Sequence, residues 1–272
     1  MDPRRAEALK RRRICELDLT PAVQQPFAVQ GFCHPCRRRV ALQVDFGHAY
    51  LVEGRLQPNW RKRLVCPRCR LNARIRAALH VFERFTGTTS RGPLYLTEQS
   101  TPLYRWMARR YPGLTGSEYL GSGFRPGEVD ARGWRHEDLT RLSFADASLA
   151  AILSFDVLEH VPDYRAAARA CLRCLKPGGA FVFSVPFVVE AQTTLVRARL
   201  DADGHVEHLQ PPEYHGDPVS HAGCLCYYHF GWDLLDDLRA LGFVDVTAFD
   251  CWSDAHGYLG GNTLIFVARK PR

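Results

Sequence analysis

Residues 151–164 read AILSFDVLEHVPDY. An apolar run from Ala151 to Phe155 passes directly into Asp156, Glu159 and His160. A buried strand that ends among ionisable groups is the signature of an open parallel sheet, whose ligands sit just beyond the strand C-termini. The flanking sequence fits. Downstream, Asp163 stands where a helix cap belongs, and Tyr164, Ala168, Cys171, Leu172 and Leu175 recur at helical spacing up to KPGG. AFVFSVPF then reads as a fully buried strand, and GWDLLDDLRALGF as an amphipathic helix with Leu234, Leu235, Leu238 and Leu241 on one face and Gly242 at its end. VDVTAFD and NTLIFVARK are two closing strands. Upstream, PLYLT (93–97) is a strand followed by helix-like PLYRWMARRY, GLTGSEYL holds a second strand ending near Glu118, and GWRHEDLT leads to Asp138. This alternation predicts an α/β fold with a doubly wound, mostly parallel sheet.

The chain has 272 residues, 46% hydrophobic and 24% charged, as a globular protein should. The N-terminal MDPRRAEALKRRRICELD has no apolar core behind its charges and is not a secretory signal. The longest uncharged apolar run, 180–189, is well short of the roughly 20 residues that span a bilayer. The expected location is cytoplasmic, with no membrane span. The net charge of +7 is unevenly placed: residues 1–91 hold 19 Lys/Arg against 7 Asp/Glu, and residues 92–272 hold 17 against 22. The shift predicts a basic N-terminal segment (1–30), a small domain (31–91) and a larger one (92–272). A basic module can hold a nucleic acid or another anionic surface, or simply present a solvated Arg-rich face.

Four of the ten cysteines form two C-x-x-C pairs, Cys33/Cys36 in FCHPCRRR and Cys66/Cys69 in LVCPRCRLN, with 29 residues between them. Each pair directs two thiolates at one point, and two such knuckles complete a tetrahedral zinc site. The stretch between them suits short hairpin strands, giving a zinc-ribbon-like module whose closed site serves folding rather than catalysis. His34 is an alternative ligand, and Arg37, Arg38, Arg39, Arg68 and Arg70 are candidates to neutralise the thiolates. Cys171 and Cys174 read as helix core, and Cys224 and Cys226 alternate as on a strand.

The stretch RHEDLTRLSFADASLAAILSFDVLEHVPDYRAAARACLRCLKPGGAFVFSVP resembles the middle of class I S-adenosylmethionine-dependent methyltransferases. The tail PPEYHGDPVS…FGWDLL…LGF resembles a bacterial subgroup with an N-terminal zinc-ribbon-like module, often found beside glycosyltransferases. The resemblance implies a Rossmann-like domain over 92–272 that binds S-adenosyl-L-methionine. By position, Glu118 would accept from the ribose hydroxyls and Asp138 from the adenine amine, with Leu139 on the ring face. Phe155 and Asp156 would line the methionine end, and Thr97 and Glu98 the first loop. That loop departs from the family: LYLTEQSTPLY has no glycine, and Glu98 stands where one is usual.

If the acceptor is a hydroxyl or an amine, a base must take its proton. His160 is one candidate and His215, in EYHGDP, another. Residues 190–230 hold five of the eleven histidines and read as the acceptor-side insertion, in which His215, Asp217 and His221 are a further metal-site candidate. The expected function is methyl transfer to a hydroxyl or amine of a small molecule or saccharide. The alternatives are methylation of RNA held by the basic module, and a non-catalytic interaction module with a degenerate cofactor site.

Overall fold

The computed structural model describes residues 3–85, 92–217, 219–220, 222–261 and 263–272. The chain forms two compact units: Met1–Val81 with Asp250–Thr263, and Phe82–Phe249 with Leu264–Arg272. The divisions expected from the sequence fall after residues 30 and 91, with 92–272 as one continuous domain. By compactness, the segment between the last two strands also goes with the N-terminal unit.

In the first unit the basic segment is a helix, α1 (Pro3–Leu19). β1 (Phe27–Cys33) and β2 (Arg38–Val44) form an antiparallel hairpin in register from Phe27↔Val44 to Cys33↔Arg38. The first cysteine pair therefore sits at the hairpin's turn. A second hairpin, β3 (Tyr50–Val52) and β4 (Arg55–Gln57), turns through Glu53 and Gly54, with φ of 50° and 73°. Two consecutive positive φ values match the right-handed twist of the strands. One helical turn follows, α2 (Trp60–Arg63), capped by the Asn59 side chain, and then α3 (Ala73–Phe85). Val29, Leu42, Val44, Trp60, Leu64 and Leu259 are buried together, so the returning segment 250–263 supplies part of this core.

The second unit opens with β5 (Leu94–Leu96), α4 (Pro102–Ala108) and β6 (Leu114–Gly116). Next come β7 (Leu149–Phe155), α5 (Tyr164–Cys174) and β8 (Leu175–Ser184). The 190–230 region folds into short two-stranded pieces: β9 (Leu195–Val196) with β14 (Tyr228–His229), β10 (Ala198–Leu200) with β11 (Val206–His208), and β12 (Tyr214–His215) with β13 (Cys224–Leu225). α6 (Asp233–Ala240), β15 (Val244–Asp250) and β16 (Leu264–Arg269) complete the elements. The sheet order is β15-β16-β8-β7-β5-β6. β6, β5, β7 and β8 run parallel, and β16 is antiparallel to β8. This is the doubly wound, mostly parallel sheet that the alternation predicts, and it is Rossmann-like as the resemblance implies. Cys171 and Cys174 are fully buried on α5 beside Phe181 and Leu175, as helix core should be.

The stretch leading to Asp138 pairs with the chain after β6 through a single parallel bridge, Glu118↔His136. The reason is local. The His136 ring, through Nδ1, accepts the Leu120 N–H at 2.9 Å, so a side chain takes the donor a longer ladder would use. GWRHEDLT also offers few β-branched residues to extend the pairing. Among the described residues no helix is long and apolar enough to cross a membrane.

The glycine missing from the first loop has a counterpart on the neighbouring strand. A Cβ at Gly116 would lie 2.5 Å from the Tyr104 ring and 2.9 Å from the Glu98 carbonyl oxygen. The loop after β5 can thus press onto β6 without glycines of its own. Gly116→Ala should cost about 1–3 kcal/mol through overpacking, read as a lowered urea midpoint with an unchanged m value.

Candidate functional site

Three acidic side chains lie where the chain leaves the sheet. Glu118 is buried, two residues past β6. Its Oε1 accepts the Gln99 N–H at 2.8 Å and the Ser100 N–H at 2.7 Å, which ties the loop after β5 to the end of β6. Its Oε2 has no hydrogen bond among the described residues. Asp138 caps a single helical turn, Leu139–Arg141. Its Oδ1 accepts from the Thr140 N–H at 2.9 Å and the Thr140 hydroxyl at 2.7 Å, and its Oδ2 faces Arg141 Nη2 at 3.1 Å. Burial opposes its ionisation, yet these donors outweigh it and hold the carboxyl below its usual range. Leu139 is buried in the core, next to the sheet.

Asp156 follows the last residue of β7 with φ of 56°, the left-handed region that a non-glycine residue enters at a cost. Two bonds to β8 hold it there: its N–H donates to the Ser184 carbonyl and the Ser184 hydroxyl donates to its Oδ1, both at 2.8 Å. Phe155 is buried beside it, and Thr97 is buried with its hydroxyl on Ser154 Oγ at 3.1 Å. The exposed ring of Tyr119 adjoins Glu118 and packs on His136 at 5.3 Å. Sequence reasoning passed over Tyr119; its place directly after the acidic residue was the available signal.

His160 and His215 come together, with ring centroids 4.9 Å apart at 88°. Between them stands Glu159, fully buried, whose Oε1 is 3.7 Å from both His160 Nε2 and His215 Nδ1. Burial pushes the Glu159 carboxyl up. The His215 pKa is raised by Glu159, against burial, with Glu213 adding to the effect. The two candidate bases thus stand on either side of one carboxylate. His215 is not grouped with Asp217, and His221 lies outside the described residues.

In the other unit, the sulfurs of Cys33, Cys36, Cys66 and Cys69 lie within 4.8 Å of one another. Cys33 and Cys69 Sγ are 3.7 Å apart, and Cys36 and Cys66 Sγ 3.9 Å. A tetrahedral ion with bonds of about 2.3 Å to sulfur sets its ligands about 3.8 Å apart, so the four residues fit zinc. Both knuckles share a backbone device: Arg37 and Arg70, each directly after the second cysteine, have φ of 53° and 64°. Cys33 accepts from the Cys36 N–H, and Cys66 from those of Arg68 and Cys69. His34 stacks on the His80 ring at 3.9 Å instead of joining the sulfurs. The buried cation here is Arg76, which the sequence reading did not single out. It is fully buried and donates to the carbonyls of His256 at 2.7 Å and Gly257 at 2.8 Å. Burial lowers its pKa, while Cys33, Cys66 and Cys69 are among the groups that support its charge.

The same unit has a cleft of about 480 Å³ lined by Arg12, Glu16, Tyr50 and Trp252, remote in sequence from the acidic residues above.

Residues 117–183 match the family model described as a methyltransferase domain. Over that stretch the chain resembles a methyltransferase domain. The match runs from the end of β6 through most of β8, and takes in Glu118, Asp138, Asp156, Glu159 and His160. A Mycolicibacterium smegmatis protein named "Probable S-adenosylmethionine-dependent methyltransferase" is 40% identical over 52 residues, 19% of this chain and 20% of that protein. The chain thus matches about a fifth of the length of this curated relative. Among solved structures, an S-adenosylmethionine dependent methyltransferase from Mesorhizobium loti shares 20% identity at a TM-score of 0.43, covering 67% of this chain and 93% of that one. The glycopeptide N-methyltransferase MtfA complexed with sinefungin shares 17% at 0.44, covering 74% and 95%. At these scores the sheet order of the second unit, and not the likeness, carries the fold.

Proposed function

We propose that the protein transfers a methyl group from S-adenosylmethionine to a hydroxyl or amine of a small molecule or saccharide. The observation that carries this reading is the domain match over residues 117–183, which contains the acidic residues at the exits of the sheet. The donor set suits the cofactor. Glu118 Oε2 has no hydrogen bond among the described residues and can accept from ribose hydroxyls. Among the described residues Asp138 Oδ2 is held by Arg141 alone, an exposed side chain that can swing aside for an adenine amine. The Tyr119 ring can cover an adenine face. Asp156, set in its strained turn, is the candidate for the methionine end, with Phe155, Thr97 and Glu98 around it. When bound, S-adenosylmethionine supplies an electrophilic methyl group on a cationic sulfur. The protein's part is to align the acceptor and keep water out. We assign the acceptor side to Glu159, His160 and His215 acting together.

In the N-terminal unit we propose a structural zinc ion on Cys33, Cys36, Cys66 and Cys69. Its four thiolates leave a net negative cluster, and Arg76 is the buried charge that offsets it. The RNA reading loses support here, because several basic side chains are already engaged: Arg12 with Asp250 at 2.7 Å, Arg13 with Glu53 at 3.0 Å, and Arg63 with Asp45.

Calorimetric titration of S-adenosylmethionine tests the main reading. One equivalent should bind, and Tyr119→Ala should weaken it roughly three- to tenfold, the value of one aromatic contact. No heat and no thermal shift in folded, zinc-loaded protein would leave only the non-catalytic alternative.

A further inference from the structure

The group between His160 and His215 poses a problem of charge and protons. His160 Nδ1 lies 2.8 Å from the Leu225 carbonyl oxygen, which can only accept, so Nδ1 carries the proton. A neutral ring then leaves the Nε2 lone pair facing Glu159 Oε1. His215 repeats the arrangement with its nitrogens exchanged. Its Nε2 lies 3.0 Å from Glu213 Oε1 and donates to it, which leaves Nδ1 facing the same Glu159 oxygen. Three electron-pair donors thus converge, with all ligand atoms within 4.8 Å of one another. Glu159 is fully buried, and neither of its oxygens has a hydrogen bond among the described residues. An ionised buried carboxylate without a donor is costly. A cation at the point of convergence removes the cost for all three groups at once.

We propose that Glu159, His160 and His215 bind a divalent transition-metal ion, with zinc the best-suited, at a second metal site in the methyltransferase domain. Two imidazoles and a carboxylate are a zinc donor set, and in a tetrahedral arrangement they leave a fourth position for an exogenous ligand. The separations are close to what the ion requires. Zinc bonds of about 2.0–2.1 Å place neighbouring ligands about 3.4 Å apart, against the 3.7 Å found on both sides of Glu159. A ligating histidine usually donates its other N–H to a carbonyl or a carboxylate, and Leu225 and Glu213 already fill those roles. Glu213 is fixed in turn by His229 Nε2 at 3.0 Å and Arg197 Nη2 at 3.3 Å. The ligand-bearing segments are stitched together: the Tyr227 N–H donates to the Glu159 carbonyl at 2.7 Å and the Cys226 N–H to that of Glu213 at 2.8 Å.

The site goes beyond methyl transfer, and its test does not depend on that activity. Untagged protein is saturated with zinc, gel-filtered and assayed for metal per chain, beside the double variant Glu159→Gln, His215→Ala. The wild type should retain one more zinc per chain than the variant. Cobalt titrated into wild type whose cysteines already hold zinc gives a second reading that needs no variant. Uptake of one equivalent with d–d absorption but no thiolate charge-transfer band supports the site. Equal zinc in wild type and folded variant, no cobalt uptake, or cobalt bands of thiolate origin would overturn it. Either result leaves the cofactor titration to stand or fall separately.

Discussion

Cys66→Ser is expected to unfold the N-terminal unit. The substituted oxygen stays protonated near neutral pH and cannot replace a thiolate, so the tetrahedral set is broken. A structural zinc ion in a small knuckle contributes about 10–16 kcal/mol, as much as or more than the whole stability of a typical domain. The unit has little to set against that loss. Its core is a short list of side chains around Val29, Leu42, Trp60 and Leu64, and Arg76 would be left buried beside a weakened partner. Zinc content should fall by one equivalent, and amide exchange across β1 and β2 should lose its protection. Strong chelation of the wild type should reproduce both effects. A Cys66→Ser protein that melts like the wild type would show that the four sulfurs do not hold a structural ion.

Glu118 is expected to serve two purposes, which two substitutions can separate. Glu118→Ala removes the acceptor of the Gln99 and Ser100 N–H groups, both bound through Oε1. Hydrogen bonds to a charged group are worth about 1.5–3 kcal/mol each and add imperfectly, so a loss of about 3 kcal/mol is expected in a denaturant melt. Cofactor binding should fall below detection, since the loop after β5 loses its anchor and the ribose its acceptor. Glu118→Gln keeps one oxygen, which can turn toward the loop, and puts an amide donor where Oε2 stood. Most of the stability should return while affinity stays down at least tenfold. If Glu118→Gln binds S-adenosylmethionine like the wild type, Glu118 is a structural brace and the ribose contact lies elsewhere.

The sheet was legible because its strands are nearly unbroken apolar runs and its helices show clear periodicity. Helix α5 begins after Asp163, whose side chain accepts the Ala166 N–H at 2.8 Å, as a cap should. Asp156 could be placed because a charge directly after a buried run must leave the core. Other features depend on three-dimensional proximity and left no local mark. Nothing in LEHVP tells which neighbour Glu159 meets; His215 reaches it from 56 residues along the chain, through the β12–β13 pair. The missing loop glycines looked like a defect because the compensating space is at Gly116, on another strand. Arg76 looked like one more basic residue on a helix, since burial beside thiolates is invisible to composition.

The return of residues 250–263 to the N-terminal unit bears on how the chain is made. Translation delivers α1, both cysteine pairs and the two hairpins first, yet Leu259 and the carbonyls of His256 and Gly257 that receive Arg76 emerge some two hundred residues later. The N-terminal unit therefore stays incomplete until synthesis nears residue 263. Until then the four sulfurs must be held by their own short turns, and a nascent chain stalled before residue 250 would expose a half-built core to proteases and chaperones.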